Sequence, residues 1–478
     1  MPDAKPLIEP RILKGFQDFL PEEVLARKAV VDVCESVFRK YGFVPLQTPA
    51  LEYLETLLGT GGEETNKELF RLETPEGEPV AMRFDQTVPF ARMMAQYPDK
   101  LKAPFRRYAI GPVWRGDRPG PGRFREFTQI DIDAAGSDSV AVDAEIIAVV
   151  CEIMVRLGAS DFCVLVNNRK LIDALLEGCG IRDGAKGKHV LRVIDKLDKV
   201  GVDNIRLELG KGRIDDSGDP IPGAHLDDKT IDAILSFIAI KGDSRAEVVE
   251  KMREALPVSE RSTQSLEEMT QLAACLDALG VPVAQARFAP SLARGLDYYT
   301  GPVYEIAIAE GRFGSVGGGG RYDGLVSRFL ERSIACAGIA FGLDRLMAAL
   351  EFLGIAPRIS AQSQVLVAFV GRVAEAELLK VAKELRDAGL RAEVYFGNKR
   401  GMKHQLAHAD RCQIPVAVIV GEDELAKGLV SIKDLLAGKD QREDIADHDA
   451  YRKAGRTAQV TVPRSEMITT IREMLGNE

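Results

Sequence analysis

Apolar residues recur at helical spacing in two long segments of the N-terminal half. EEVLARKAVVDVCESVFRKY (22–41) places an apolar residue every three to four positions, and Gly42 follows it as a helix-ending residue. VAVDAEIIAVVCEIMVRLG (140–158) repeats that spacing over a similar length. Both segments predict amphipathic helices.

Strand patterns surround these helices. They are short runs with alternating or continuous apolar character, bounded by proline, glycine or polar residues. Because strands and helices mix without a regular βαβ alternation, the pattern predicts an α+β fold with an antiparallel-rich sheet flanked by helices. The predicted strands lie at 43–53, 78–83, 104–113, 127–136, 162–168 and 302–309, and GIAFGLDRLMAALEFLG (338–354) predicts a strand that runs into a helix.

The pattern also divides the chain into regions. Helical spacing dominates from about 170 to 280, interrupted by a polar loop at 210–225, and 354–364 has a linker composition. After the linker, VLVAFV, a helix at 372–388, AEVYF, a second helix and PVAVIVG predict a small doubly wound α/β domain. The predicted regions are 1–169 and 281–353 for the two parts of the main sheet domain, 170–280 for a helical insertion, 354–364 for the linker and 365–478 for the α/β domain.

Composition narrows the class of protein. The 478 residues carry a net charge of -9 and 46% hydrophobic residues, which fits an ordinary globular enzyme of several domains. No run of about 18 apolar residues predicts a membrane span, and the N-terminus has no apolar core of a secretory signal. The seven cysteines are scattered without a CxxC pair, so we expect reduced thiols in a cytoplasmic protein and neither a disulfide framework nor a zinc ribbon.

The first candidate for chemistry is an arginine-rich hairpin. Two predicted strands are joined by GDRPGPGRF, and guanidinium forks of this kind hold phosphate oxygens in pairs. A nucleoside triphosphate is therefore a natural ligand, and the alternative is a surface hairpin with ordinary salt bridges. The arginines are Arg106, Arg107, Arg115, Arg118, Arg123 and Arg125.

Two further segments indicate a binding wall. GSVGGGGRYDGL (314–325) has neither the Lys-Ser/Thr of a Walker loop nor the setting of a Rossmann fingerprint, so it predicts backbone that a flat ligand approaches closely. The alternative is a glycine-rich turn. ARGLDYYTG (293–301) brings Arg294, Tyr298 and Tyr299 together between glycines, where paired tyrosines would otherwise be core aromatics.

Histidine and cysteine nucleophiles are not indicated. Of the five histidines, His404 and His408 have metal-ligand spacing, but the HExxH glutamate is missing and a surface helix pair explains them. No nucleophile elbow marks a serine hydrolase. Chemistry must rest on arginines, carboxylates and tyrosines, with no resident metal site.

In order and combination, these segments resemble the histidyl-tRNA synthetase family of the class II aminoacyl-tRNA synthetases. GFVPLQTPALE resembles motif 1, PVWRGDRPGPGRFREFTQIDID motif 2 and GIAFGLDRL motif 3. ARGLDYYTG and GGGGRYDGL resemble the two signatures of the histidine enzymes, and KGFQDFLP matches the family's opening. The resemblance implies an ATP-dependent histidine–tRNA ligase, a homodimer using Mg²⁺, with tRNA(His) as partner and an anticodon-binding domain at 365–478.

The resemblance also implies roles for individual residues. Arg115 would hold the α-phosphate of ATP and Arg345 the far phosphates, with Arg123 also on ATP. Asp133 and Tyr299 would hydrogen-bond the two imidazole nitrogens, and Tyr322 would close the pocket. Arg294 and Arg115 would be the catalytic residues. The residues implied to bind histidine are Asp85, Gln86, Thr87, Gln129, Asp133, Arg294, Tyr298, Tyr299 and Tyr322, with Asp85, Thr87 and Gln129 on the α-ammonium group.

One departure and two rivals accompany this interpretation. Asp85 and Asp133 stand where a common bacterial pattern has glutamate, so the detailed geometry of the pocket is open. The first rival is a regulatory, non-acylating paralogue, which typically lacks the C-terminal domain and has degraded signatures. The second is a class II enzyme for proline or threonine, against which RGLDYY and GGRYDGL argue. The basic run GNKRGMKH (397–404) indicates RNA contact or a solvated helix start.

Overall fold

The computed structural model describes residues 8–59, 66–120, 122–215, 218–293, 299–309, 313–358, 362–435 and 459–476, and the structural statements below refer to these. The chain forms two compact units, whose main parts lie within 27–356 and 357–478. Arg294 and Tyr298 lie outside the described residues.

The first unit contains thirteen strands among the described residues. They are β1 (Val44–Pro45), β2 (Leu51–Tyr53), β3 (Arg71–Glu73), β4 (Pro79–Met82), β5 (Phe105–Trp114), β6 (Glu126–Ala135), β7 (Phe162–Asn168), β8 (Gly212–Ile214), β9 (Pro220–Pro222), β10 (Ala286–Phe288), β11 (Pro302–Ile308), β12 (Gly314–Arg321) and β13 (Cys336–Gly342).

Its helices include the two that the apolar spacing predicts, α1 and α4. In chain order they are α1 (Pro21–Lys40), α2 (Leu54–Leu57), α3 (Thr87–Gln96), α4 (Ala141–Arg156), α5 (Arg169–Gly178), α6 (Gly184–Ile194), α7 (Leu197–Leu209, broken at Gly201), α8 (Asp228–Ile238), α9 (Arg245–Ala255), α10 (Glu260–Ala278) and α11 (Leu343–Phe352).

An eight-stranded sheet is the centre of this unit. Its strand order is β1-β5-β6-β13-β12-β11-β7-β10, and only the outermost pairs, β1 with β5 and β7 with β10, run parallel. The antiparallel-rich α+β fold is therefore confirmed. Along β6 the side chains alternate, so Ile130 and Ile132 lie on one face while Gln129, Asp131 and Asp133 lie on the other.

A smaller sheet and helix α3 form one side of the polar face. Strands β2, β4 and β3 pair in that order, and α3, which the sequence pattern did not predict, packs with them through Val88, Phe90 and Met94. Pro89 lies in the first turn of α3, where a missing N–H is tolerated. This helix places Asp85 and Thr87 at its N-terminal end.

Residues 169–278 are mainly helical, as the spacing predicts. Side chains of Asn168, Asp183, Asp227, Ser244 and Ser259 accept hydrogen bonds from the first turns of their helices, which explains where these helices begin. The segment predicted as a polar loop instead contains the two-stranded hairpin of β8 and β9. That prediction was wrong because the strands are only three residues long.

The elements of the second unit in the described residues are β14 (Val365–Val370), α12 (Glu375–Asp387), β15 (Ala392–Val394), α13 (Met402–Arg411), β16 (Val416–Gly421), α14 (Glu422–Ala426), β17 (Leu429–Asp434), β18 (Gln459–Pro463) and α15 (Met467–Met474). The strands form a five-stranded sheet with order β15-β14-β16-β17-β18. Its parallel strands β14, β15 and β16 confirm the α/β alternation, but β17 and β18 continue the sheet in antiparallel fashion. Helices cover both faces.

Two further features of the described residues concern membrane spans and the histidine pair. Across the described ranges, no helix combines the length and apolar character needed to cross a membrane. His408 Nε2 lies 2.6 Å from Glu393 Oε1 on the neighbouring strand, so it is half of a polar pair at a helix surface.

Candidate active site

A cavity of about 360 Å³ lies on the polar face of the large sheet. It brings together residues that are far apart in the chain, from β6, β12, β13, the start of α3 and the start of α11. The residues named from the sequence that line it are Asp85, Thr87, Arg115, Arg123, Gln129, Asp133, Tyr299, Tyr322 and Arg345.

Asp133 forms the polar floor of one end of the cavity. Its carboxylate is 2% exposed and lies 2.7 Å from Nη2 of Arg107, while Tyr322 donates its hydroxyl proton to Asp133 Oδ1. Gly338 on β13 faces Asp133 in the sheet register, and a Cβ there would overlap the carboxylate. The ion pair, the tyrosine and the missing side chain fix Asp133 in one orientation.

The start of α3 lies beside this floor. Asp85 Oδ1 accepts the backbone N–H of Val88 at 3.0 Å, which stabilises the first turn of the helix and orients the carboxylate. Thr87 also lines the cavity, but Gln86 does not. Gln86 is buried below it and donates from Nε2 to the backbone oxygen of Gln129 at 2.9 Å, so its position indicates support of the floor rather than ligand contact.

Two arginines lie at the other end of the cavity. Arg115 donates from Nε to the backbone oxygen of Phe84 at 2.9 Å, and its guanidinium lies 5.2 Å from the ring centre of Phe127. Arg345, in the first turn of α11, lies 5.9 Å from the ring centre of Phe313. A backbone oxygen holds Arg115, an aromatic ring lies beside each guanidinium, and both line the cavity, an arrangement suited to phosphate oxygens.

The other arginines of the β5–β6 hairpin differ in their contacts: some make ordinary surface contacts, and others belong to the cavity. Arg106 pairs with Glu145 at 2.5 Å and Arg125 bonds the backbone of Asp117, which are ordinary surface contacts. Arg123 is exposed at the cavity rim. Arg107 is completely buried, so it belongs to the cavity floor and cannot meet a phosphate as a surface group would.

The glycine run forms β12, in the middle of the sheet, rather than a turn. Gly317 and Gly318 line the cavity, as close backbone approach predicts. Gly319 has a different cause, because a Cβ there would lie 2.6 Å from Cα of Ile339 on β13. Arg321, at the end of β12, pairs with Asp143 at 2.5 Å and with the backbone of Ser137, which is a structural role.

Sequence reasoning missed the roles of two residues under the floor. One is Arg107, which is the partner of Asp133, and the other is Asp131. Asp131 is completely buried and accepts a hydrogen bond from Nε2 of Gln129 at 3.1 Å. The strand alternation on β6 was sufficient to place it beside Gln129 and Asp133. It lies within the segment that resembles motif 2, but it does not line the cavity.

Burial dominates the electrostatics of the floor. It raises the pKa of Asp85 to about 6, against the lowering effects of the Val88 N–H and Arg115. Burial also raises the pKa of Asp131 to about 8 and that of Asp133, with Arg107 opposing both. The floor therefore concentrates negative charge only at a cost in free energy, which a cationic ligand group would offset.

Comparison with known proteins identifies the family of this chain. Residues 15–346 match the family model described as histidyl-tRNA synthetase, and residues 364–474 match the model of an anticodon binding domain. The chain belongs to the histidyl-tRNA synthetase family. This family uses ATP as a substrate.

Curated relatives extend the family match over almost the whole chain. The histidine–tRNA ligases of Paracoccus denitrificans and Caulobacter vibrioides are each 40% identical to it, over 97% and 98% of this chain and 97% of each relative. Both relatives therefore include the counterpart of residues 364–474, the region that a regulatory paralogue typically lacks.

Solved structures of the family have the same architecture. The histidyl-tRNA synthetase of Nostoc sp. PCC 7120 superposes with a TM-score of 0.80 at 32% identity, covering 98% of this chain and all of that one. A Bacillus halodurans protein described as an ATP phosphoribosyltransferase regulatory subunit/histidyl-tRNA synthetase shares the fold, with a TM-score of 0.70 at 22% identity over 87% of this chain and 99% of that one.

Proposed function

We propose that this protein activates L-histidine with ATP to histidyl-adenylate and transfers the histidyl group to the 3′ end of tRNA(His), releasing pyrophosphate and AMP. One observation carries the proposal. A single cavity has a buried, oriented carboxylate with a tyrosine at one end, Asp133 and Tyr299, and two held guanidiniums at the other, Arg115 and Arg345.

The histidine end suits an imidazole with its α-ammonium group. Asp133 accepts the hydrogen bond of one ring N–H, and Tyr299 partners the other nitrogen. Asp85, Thr87 and Gln129 lie along the same wall and take the α-ammonium group. A side chain without two ring nitrogens would leave buried polar groups unpaired, which is the strongest way for a site to reject a substrate.

The reaction needs positioning and charge neutralisation rather than a base. The carboxylate of histidine is ionised at neutral pH and is itself the nucleophile. It forms a bond to the α-phosphorus of ATP as the bond to the bridging oxygen of pyrophosphate breaks, and negative charge gathers on the α-phosphate oxygens. Arg115 stabilises that charge, Arg345 and Arg123 hold the outgoing phosphates, and Arg294 is assigned to the reacting carboxylate by its signature segment.

In this proposal Mg²⁺ binds together with ATP and is not a resident metal of the protein. Mg²⁺ keeps several waters and is usually bound through phosphate oxygens and one or two carboxylates. Asp117 lines the cavity beside Arg123 and supplies a carboxylate of that kind. Bound there, Mg²⁺ would share the charge of the triphosphate with the arginines.

The second substrate and the quaternary structure are part of the proposal. The match of 364–474 to an anticodon binding domain supports tRNA(His) as partner, with the basic run at 397–404 as a candidate contact. The motif 1 resemblance supports a homodimer, and Leu51, Tyr53 and Tyr97 expose apolar surface around Pro49. Light scattering should give a mass near twice 52.2 kDa, and a mass near one chain at micromolar concentration would contradict the dimer.

We also propose a cytoplasmic location. All seven cysteines lie in the described part of the chain, and each is a free thiol. Free thiols fit a reducing compartment, where tRNA charging takes place.

Aminoacylation of purified tRNA tests the function. The full-length protein with ATP, Mg²⁺ and radiolabelled histidine should charge tRNA(His), and Asp133→Ala should lose charging. Charging of a proline or threonine tRNA instead would contradict the assignment to histidine while leaving the class II assignment in place.

A further inference from the structure

Asp131 lies beneath the cavity and touches neither end of it directly. It is on the same face of β6 as Gln129 and Asp133, with small residues opposite it on both neighbouring strands, Ala109 and Ala340. Its carboxylate is completely buried. A buried acid is expensive unless it is paired and hydrogen-bonded, so a retained one calls for a physical explanation.

On one side, Asp131 shares a cation with Asp133. Nη2 of Arg107 lies 2.7 Å from Asp133 Oδ2 and 3.9 Å from Asp131 Oδ2, and it also donates to the backbone oxygen of Gln86 at 3.0 Å. The ring of Phe90 lies 4.8 Å from this guanidinium. Asp133, the Gln86 carbonyl and the Phe90 ring therefore hold Arg107 directly, and Asp131 adds a longer electrostatic contact.

On the other side, Asp131 orients an amide that reaches the phosphate end. Gln129 donates from Nε2 to Asp131 Oδ2 at 3.1 Å, which turns its Oε1 towards Arg115, whose Nη2 lies 3.4 Å away. If Asp131 were replaced by an apolar residue, Gln129 could rotate and this contact with Arg115 would be lost.

We propose that Asp131 is a positioning residue for both ends of the active site. It holds Asp133 in place through Arg107, and it holds Arg115 in place through Gln129. This inference rests on the proposed function. It assigns a role to a residue that contacts no substrate, and it makes the contacts of β6 the physical link between the histidine end and the phosphate end.

The surrounding charges agree with this role. Besides Arg107, the groups that face Asp131 are Asp133, Asp85 and Arg83, and burial raises the pKa of Asp131 while Arg107 opposes the rise. Asp131 Oδ1 accepts no hydrogen bond from the described residues. One carboxylate oxygen, Oδ2, therefore makes both the contact to Gln129 and that to Arg107, so loss of this oxygen acts on both.

Two substitutions separate the two contacts. Asp131→Asn keeps an oxygen that accepts from Gln129 but removes the negative charge that Asp131 carries near Arg107 above its pKa, so at alkaline pH it should act on the histidine end. Asp131→Leu removes both contacts with an apolar side chain that branches at the same atom, Cγ. Glu208→Gln is the matched control, because Glu208 is also a completely buried carboxylate with two cationic partners, Lys196 and Arg213, but lies in the helical region.

The measurement is histidine-dependent ATP–pyrophosphate exchange by the full-length protein at about pH 9, where Asp131 is ionised, with melting curves of the same samples. Asp131→Asn should raise the KM for histidine by ~10-fold and change the KM for ATP by less than ~2-fold, the scale of one charge-assisted contact. Asp131→Leu should in addition lower kcat by ~10-fold or more, since the position of Arg115 matters most in the transition state. Glu208→Gln should lower the melting temperature without changing the kinetics.

The contrary outcomes are distinct. Folded Asp131 variants with the kinetics of the wild type, or with only the lower melting temperature of Glu208→Gln, would overturn the inference and leave the proposed function intact. A wild-type protein without histidine-dependent exchange would overturn the proposed function, and the positioning role with it.

Discussion

Gly338→Ala adds one methyl group where the fold leaves no room for it. The new Cβ would overlap Oδ1 of Asp133 and lie 2.7 Å from its Cγ and 2.8 Å from the backbone oxygen of Ile132. These separations are well inside van der Waals contact. Either the carboxylate moves away from Arg107 and Tyr322, or strands β6 and β13 separate.

The magnitude follows from those contacts. Overpacking of a closely packed site costs about 1–3 kcal/mol of folding stability. Displacing Asp133 removes one hydrogen bond to a charged group, about 1.5–3 kcal/mol, from histidine binding. Since each 1.4 kcal/mol is tenfold, we expect histidine to bind about ten- to hundredfold more weakly. ATP affinity should change by less than ~2-fold, because Arg115 and Arg345 lie at the other end.

Isothermal titration of the folded variant with histidine and with ATP, in separate experiments, measures both effects. Gly324→Ala is the matched control, because a Cβ there has no neighbour within 4 Å. A folded Gly338→Ala protein that binds histidine as tightly as the wild type would refute the placement of histidine against Asp133.

Three further predictions concern other parts of the floor and wall. Asp85→Asn should raise the KM for histidine at pH 8 but hardly at pH 5, because the pKa of Asp85 is about 6 and its negative charge is lost as the pH falls below that value. The measurement is the ratio of variant to wild-type KM across pH, in which the titration of histidine itself cancels. A ratio that does not change with pH would contradict the proposed contact of Asp85 with the α-ammonium group. The free energy of unfolding of the ligand-free protein should fall as the pH rises from 6 to 8, because Asp131, with a folded-state pKa of about 8 against an ordinary 3.8, binds more protons when folded than when unfolded. Urea denaturation at three pH values should show a decrease on the order of 2 kcal/mol that Asp131→Asn largely removes. Equal pH dependence of both proteins would be evidence against the raised pKa. Arg27→Ala should raise the KM for ATP by ~5- to 10-fold and leave the KM for histidine unchanged. Arg27 pairs with Asp344 at 2.8 Å, and Asp344 accepts the Thr128 N–H, so the two contacts fix the turn that carries Arg345. Exchange kinetics at varied ATP concentration measure the effect, and an unchanged KM for ATP would contradict this role of Arg27.

Much of the fold was predictable because it rests on local patterns. The spacing of α1 and α4, the alternation of β5 and β6 and the helical region all follow from apolar periodicity along the chain. Helix α3 was missed because Pro89 and its short length hide the period. The hairpin of β8 and β9 was missed because three-residue strands carry almost no pattern.

The candidate site was predictable where residues line the cavity and not where they support its floor. Asp133, Tyr322, Arg115 and Arg345 lie in recognisable segments, and the structure brings all four to one cavity. The burial of Arg107 depends on the register of β5 against β6, which sequence spacing alone does not give. The spacing therefore groups Arg107 with the candidate phosphate-binding arginines, although it is the internal partner of Asp133.

The glycine run illustrates a second limit. From sequence, consecutive glycines indicate either a turn or a surface for close approach. In the sheet, Gly318 opens into the cavity while Gly319 faces crowded backbone of β13, so neighbouring glycines serve different purposes. Only the pairing of β12 with β13 separates the two causes.

The central claim is that one cavity activates histidine with ATP. ATP–pyrophosphate exchange by the purified full-length protein, run with each of the standard amino acids in turn, tests it most directly. We predict rapid exchange with histidine alone, because only an imidazole satisfies both Asp133 and Tyr299. Comparable exchange with proline, threonine or another amino acid, or no exchange with histidine, would contradict the claim.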